Sequence, residues 1–370
     1  MELHLTEKAV CVEKRSFFHK KKRLVLIFLL FLLLFLSHLI SKLGWWQVKP
    51  LYINQDTSGN GSNFIILVWY WPFGVRDTLE GDVCMDHYHI PGCHLMDQRS
   101  LYHQANAVIF HHRELQQRLQ VLPLDLLRPP HQKWTWLSLE SPENSGDLSH
   151  YGNVFNWTMT YRRDADIPIP YGELIRKQAM KSSFDSIEDF ITPNKSTLVC
   201  WVVSNFNDHH KRSQVYKALI KTIPVEVYGK WNNRPLANEK LLPTMSHCYF
   251  YLSFENSLSK DYITEKLWHN AYMSGAVPVV LGASLEDYKA VAPPNSFIHI
   301  DNFTSVEELG IYLRNLSQNQ QEYASYQAWR RDYKVKRLAS WVERFCRICL
   351  YHHNLSAQTV YPDLEAWVRG

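Results

Sequence analysis

What most constrains the fold of this chain is a set of short, almost unbroken apolar runs: FIILVWYW (64–71), AVIF (107–110), WTWLSLE (134–140), LVCWVVSN (198–205), VEVYG (225–229), FYLSFEN (250–256), VPVVLG (277–282) and FIHI (297–300). A strand with no polar alternation is buried on both faces, as in a parallel sheet covered by helices. The segments KRSQVYKALIKTI, ITEKLWHNAYMS, SVEELGIYLRNLS and EYASYQAWRRDY are amphipathic and lie between or after these runs. Strand and helix therefore alternate in two blocks, which predicts an α/β protein with two Rossmann-like units. Residues 172–197 are charged, Ser-rich and without strand pattern, and are expected to link the two blocks.

A length of 370 residues with 46% hydrophobic side chains supplies a core for about two domains. The formal charge of +4 comes entirely from residues 1–23, which hold seven Lys and Arg against three Glu; the remainder balances, 33 against 33. A balanced body makes no general electrostatic claim on nucleic acid. After Arg23 the run LVLIFLLFLLLFLSHLI reaches Ile40 without a small-residue cleavage site, which predicts a retained signal-anchor helix over 24–43. Basic residues precede it, so the expected topology is type II, with a cytosolic tail over 1–23 and the bulk of the chain in the lumen. Residues 44–62 read as a short stem.

Lumenal exposure agrees with six N-x-S/T acceptors, at Asn60, Asn156, Asn194, Asn302, Asn315 and Asn354, of which Asn156 sits in an apolar run. Cys11 falls on the cytosolic side. Cys84, Cys93, Cys200, Cys248, Cys346 and Cys349 remain for an oxidising compartment, an even number that favours three bridges. Cys346 and Cys349 form a lone C-x-x-C, for which zinc or redox chemistry is the weaker reading. Two tight local loops are one pairing; a clamp of the C-terminus onto Cys84 and Cys93 is another.

Candidate chemistry gathers at the ends of the apolar runs, where ligands of open α/β sheets bind. In FENSLSKDYITEKLW, short polar residues near Asp261 to Thr264 are expected to start a helix whose N-terminus, with Lys266, suits a diphosphate, while Glu265 can accept from sugar hydroxyls. The plain alternative is a solvated helix start with a salt bridge. Ser204 and Asn205 end another run, and Arg212 follows as a second phosphate contact. Glu140 follows an aromatic strand, where partial desolvation favours a general base. WYWPFG offers Trp71 and Phe73 for stacking on a sugar, and FHHRE offers His112 and Arg113. Asp164-Ala165-Asp166 imitates a metal-binding Asp-x-Asp; with Arg162 and Arg163 before it, a structural turn is the favoured reading.

WYWPFG, FHHRE, LESP, YRRDAD followed by PYG, WVVSN, FYLSFENS, DYITEKLW and VPVVLG together resemble the Lewis-type α1,3-fucosyltransferases over the whole expected lumenal portion. FHHREL and ERFCRIC look nearest the VII type, which acts on sialylated acceptors, and other stretches are similar to types IV and IX. The resemblance implies a GT-B fold, with an acceptor-side domain over 63–185, a GDP-fucose-binding domain over 186–340 and a segment 341–370 packing back on the first. It implies Glu140 as base and Arg212, Ser204, Asn205, Asn256, Tyr262, Glu265 and Lys266 as the GDP-fucose site, with no cofactor or metal required. Trp71, Phe73, His112 and Arg113 become the acceptor side, for N-acetyllactosamine-type glycans on glycoproteins and glycolipids. It also implies Cys84–Cys346, Cys93–Cys349 and Cys200–Cys248 bridges and a Golgi membrane location. The sequence departs from the family at Asp164-Ala165-Asp166, Glu143-Asn144 and Gly282-Ala283, outside the donor motif. The rivals are a metal-dependent transferase centred on Asp164 and Asp166, and an inactive lumenal lectin.

Overall fold

The computed structural model describes residues 64–178, 191–192, 194–356 and 359–370. The expected tail, anchor and stem, together with Cys11 and Asn60, lie outside the described residues. Among those described, no helix is long and apolar enough to cross a membrane.

Two all-parallel sheets carry the fold. The first has the order β2-β1-β3-β4-β5-β6, built from β1 (Phe64–Val68), β2 (Cys93–Met96), β3 (Ala107–His111), β4 (Lys133–Ser138), β5 (Trp157–Thr160) and β6 (Ile167–Pro168). Successive residues feed opposite faces: Ile66, Val68 and Ile109 enter one core layer, Leu67, Val108 and Phe110 the other. This double burial is why the strands read as unbroken apolar runs. The C-terminal segment covers both faces, with Phe345 and Ile348 in the first layer and Leu364 and Val368 in the second. Cys84–Cys346 and Cys93–Cys349 bridges tie it down, and the 262-residue span of the first makes it a clamp rather than a local loop.

The second sheet has the order β12-β11-β10-β8-β9, from β8 (Thr197–Val202), β9 (Glu226–Tyr228), β10 (Cys248–Phe254), β11 (Val277–Leu281) and β12 (Ile298–His299), with a Cys200–Cys248 bridge between neighbouring strands. The amphipathic helix Val306–Gln318 lays Leu309, Leu313 and Leu316 on one face. Trp268 and Leu267 pack elsewhere, with Val280 and Trp329. The expected strandless linker is corrected at its start: β7 (Gly172–Arg176) pairs antiparallel with β13 (Tyr333–Arg337). Its half-exposed GELIR carries too little apolar signal to be read as a strand.

Candidate functional site

The loops that leave the C-terminal ends of β4, β5 and β10 meet. Ser141 and Ser257 hydroxyls lie 2.7 Å apart, and Tyr161 meets Tyr262 edge-on at 5.0 Å between ring centres. Arg163 donates from its backbone N–H (3.0 Å) and Nε (2.6 Å) to Asp261. These bonds hold Asp261 in the left-handed region, at φ 58°, which a short polar residue tolerates better than most. Asp261 therefore locks the two loops together instead of capping the expected helix.

That helix begins at Glu265 and continues as an eight-residue π-helix, Lys266–Met273. π-turns are rare in helices and concentrate at functional sites. Glu255, just past β10, is 2% exposed. It accepts from the Thr264 N–H at 2.8 Å and from Lys266 Nζ at 2.9 Å. Lys266 also reaches Glu265 at 3.2 Å and the Thr264 hydroxyl at 2.8 Å. Burial works against the lysine's charge, but Glu255 and Glu265 outweigh it and raise its pKa. Glu265 is likewise penalised by burial, and Lys266 more than compensates, leaving its carboxyl below the ordinary value. The expected phosphate contact is thus already held between two carboxylates.

Around the helix Lys211–Leu219, polar atoms are left unsatisfied. Arg212 is 5% exposed; its terminal nitrogen donates to the Asn205 carbonyl while its Nε is buried without a partner. Burial lowers its pKa against the pull of Glu255, Tyr262 and Glu265, which places all four in one electrostatic neighbourhood. Ser213 Oγ and Asn256 Oδ1 are also buried and unpartnered. Unsatisfied buried groups are costly, and Arg212 Nε, next to the carboxylates of Glu255 and Glu265, is the one the candidate donor site involves. Ser204 is exposed, and Tyr262 is buried, its hydroxyl pKa raised by burial and then by the nearby carboxylates.

Glu140 and Glu265 open into one cavity of about 290 Å³, lined also by Phe73, Arg113, Tyr171 and Trp341. Phe73 takes a left-handed backbone, φ 59°, pinned by its N–H to Glu114 at 2.8 Å. Its half-exposed ring carries the Arg113 guanidinium at 4.6 Å, a cation–π contact. Arg113 forms no ion pair among the described residues, because Glu114 is taken by His111.

Two expected acceptor residues lie away from the cavity lining. Trp71 packs edge-on against Phe345 and donates its indole N–H to Asp97 at 3.0 Å, outside the cavity lining. His112 is 1% exposed and bonds the Ser145 carbonyl at 2.7 Å; burial drops its pKa to about 4. The preceding His111 lines the cavity instead. Arg337, Trp341 and Arg344 form a wall of the cavity from near the C-terminus; of these only Arg344 falls in a stretch singled out in the sequence, ERFCRIC, and there without a site role.

The Asp-x-Asp pair is divided between separate partners. Arg162 bonds Asp164 through two nitrogens, holding its carboxyl well below the usual range, and Lys260 adds an ion pair at 2.9 Å. Asp166 accepts from the Thr158 N–H and the Tyr361 hydroxyl, both at 2.8 Å. The carboxylates thus build the turn and anchor the C-terminal segment. Among the described residues, the group close enough to share a metal is Cys84, Cys93 and Cys349, all of them in disulfides. Of the sequon residues, Asn156, set in an apolar run, is buried, and its amide donates to the Thr359 carbonyl and accepts from the Trp134 N–H. Asn194, Asn302, Asn315 and Asn354 are exposed.

Two parallel α/β sheets, with residues Glu140 and Glu265 that follow strands of each opening into one cavity, make a GT-B-like architecture. The "Fucosyltransferase, N-terminal" family matches residues 61–172 and "Glycosyltransferase family 10 (fucosyltransferase) C-term" matches 192–367. The chain belongs to glycosyltransferase family 10, the fucosyltransferases. It is 46% identical over 311 residues to alpha-(1,3)-fucosyltransferase 7 of Rattus norvegicus, covering 82% of this chain and 80% of the relative. It is 41% identical over 333 residues to 4-galactosyl-N-acetylglucosaminide 3-alpha-L-fucosyltransferase 9 of Mus musculus, covering 90% and 87%. A solved alpha1,3-fucosyltransferase with GDP-fucose shares the fold at a TM-score of 0.52 and 17% identity, over 84% of this chain and 95% of that one.

Proposed function

We propose that the chain transfers fucose from GDP-fucose to the 3-hydroxyl of N-acetylglucosamine in type 2 N-acetyllactosamine glycans, neutral or sialylated, making Lewis x or sialyl Lewis x structures with inversion at the fucose carbon. The observation that carries the reading is the shared cavity: Glu140 from one half and Glu265 from the other face the same space, beside Arg113 and Phe73. The relatives' printed names support α1,3-fucosyl transfer.

In this scheme Glu140 takes the acceptor's hydroxyl proton as that oxygen attacks fucose C1. The C1–O bond to the diphosphate breaks and its electron pair leaves with GDP. Lys266 and the unsatisfied Arg212 stabilise the charge that develops there. Glu265, Asn256 and Tyr262 complete the donor side, with Ser204 and Asn205 at the mouth of the second sheet. Phe73, Arg113 and His111 receive the acceptor. The reading places the enzyme in the Golgi membrane as a single-pass type II protein, from the apolar run after Arg23.

The test is release of GDP from GDP-fucose with and without N-acetyllactosamine, repeated in EDTA. Acceptor-dependent release unaffected by EDTA is expected. Release that needs a metal favours the Asp164 and Asp166 alternative, and no release leaves an inactive lectin.

A further inference from the structure

Glu255 has no part in the transfer scheme, yet the fold commits to burying it. Its backbone N–H donates to the Leu281 carbonyl at 2.8 Å, which fixes the stem against the end of β11. Opposite that stem is Gly282, where an added Cβ would come within 2.7 Å of the Glu255 Cγ. One residue is thus kept bare so that the carboxylate can pass. Both carboxylate oxygens are then used on Thr264 and Lys266, the residues that flank Glu265 at the start of the π-helix. An interior carboxylate is costly unless paired. Here the partner is itself a residue of the candidate donor site.

We propose that Glu255 is the positioning residue of that site: it fixes Lys266 Nζ in one place and, through Lys266, keeps Glu265 turned toward the cavity. The inference rests on the reading that Lys266 meets the departing diphosphate. Glu255 touches neither sugar nor phosphate in this scheme. Its charge holds the lysine protonated and localised, so that little reorganisation is needed when charge develops on the leaving group.

The test is a double-mutant cycle on the full chain with GDP-fucose and N-acetyllactosamine, comparing the native sequence, E255Q, K266A and the double variant, with thermal unfolding of each. Gln keeps the shape and an acceptor for Thr264. E255Q is expected to stay folded and to lower kcat by about 10- to 100-fold, with KM for GDP-fucose changed only a few-fold. In the K266A background the same substitution should change kcat by less than about twofold, because the two residues act as one unit. Equal losses in both backgrounds would assign Glu255 a merely structural role and overturn the inference, as would an unchanged kcat in E255Q. If K266A alone leaves kcat and KM unaltered, the donor-site reading itself fails. Should E255Q not fold, G282A, which keeps both charges and displaces the Glu255 stem, goes through the same cycle. A loss confined to the Lys266 background supports the proposal, and an additive loss or no loss contradicts it.

Discussion

Glu140 and Glu265 line one cavity, although one follows β4 of the first sheet and the other opens the π-helix beside the second. The two carboxylates are assigned opposite duties, one to take a proton from the acceptor and the other to hold the donor. Glu140→Gln should therefore retain GDP binding by calorimetry while transfer falls by about 10²–10⁴-fold, the usual contribution of a general base. Near-native turnover would remove Glu140 from that role.

His112 supplies a pH prediction. Burial lowers its pKa from 6.5 to about 4, and its Nδ1 is buried without a partner. Between those values the unfolded chain binds the extra proton and the folded chain does not. The associated stability is therefore fully present above about pH 6.5 and is lost as the pH falls toward 4, by roughly 3 kcal/mol at most. Urea midpoints at pH 7.5 and pH 5 should fall less steeply for His112→Gln than for the native chain. Identical slopes would contradict the assignment.

The architecture was legible where burial is two-sided. All eight apolar runs contain a strand, because residues such as Ile66 and Leu67 serve opposite core layers and leave no polar alternation. β7 and β13 pair only with each other and stay half-exposed, so nothing apolar announces them. The motif around Glu265 was visible as chemistry, but its helix type and the Glu255 anchor were not, since both depend on contacts across turns. FHHRE shows two adjacent histidines, and which of them faces the cavity is decided by where β3 ends. The wall of Arg337, Trp341 and Arg344 is brought in by the C-terminal clamp, a relation with no local signal.

The clamp predicts that Cys84, Cys93, Cys200, Cys248, Cys346 and Cys349 resist alkylation until reduced. Peptide mapping should recover Cys84 with Cys346 and Cys93 with Cys349. Reduction should destabilise the fold by about 2–5 kcal/mol per long bridge. Recovery of Cys346 joined to Cys349 would refute the pairing.

Arg113 lies over Phe73 with no carboxylate partner among the described residues, so its donors are available to sugar hydroxyls. A planar fork of donors and a flat apolar face reward different orientations of one disaccharide. Arg113→Trp should narrow the type 2 to type 1 rate ratio on matched acceptors. A ratio unchanged by the substitution would show that Arg113 does not set the preference.

The decisive experiment supplies GDP-fucose with matched type 1 and type 2 acceptors, each neutral and sialylated, and determines the product linkage by NMR while counting released GDP. One GDP per fucose is expected, with fucose in α-linkage on the 3-hydroxyl of N-acetylglucosamine in type 2 chains and the same yield in EDTA. Fucose at another position, equal rates on type 1 and type 2 chains, or transfer abolished by EDTA would contradict the proposed transfer.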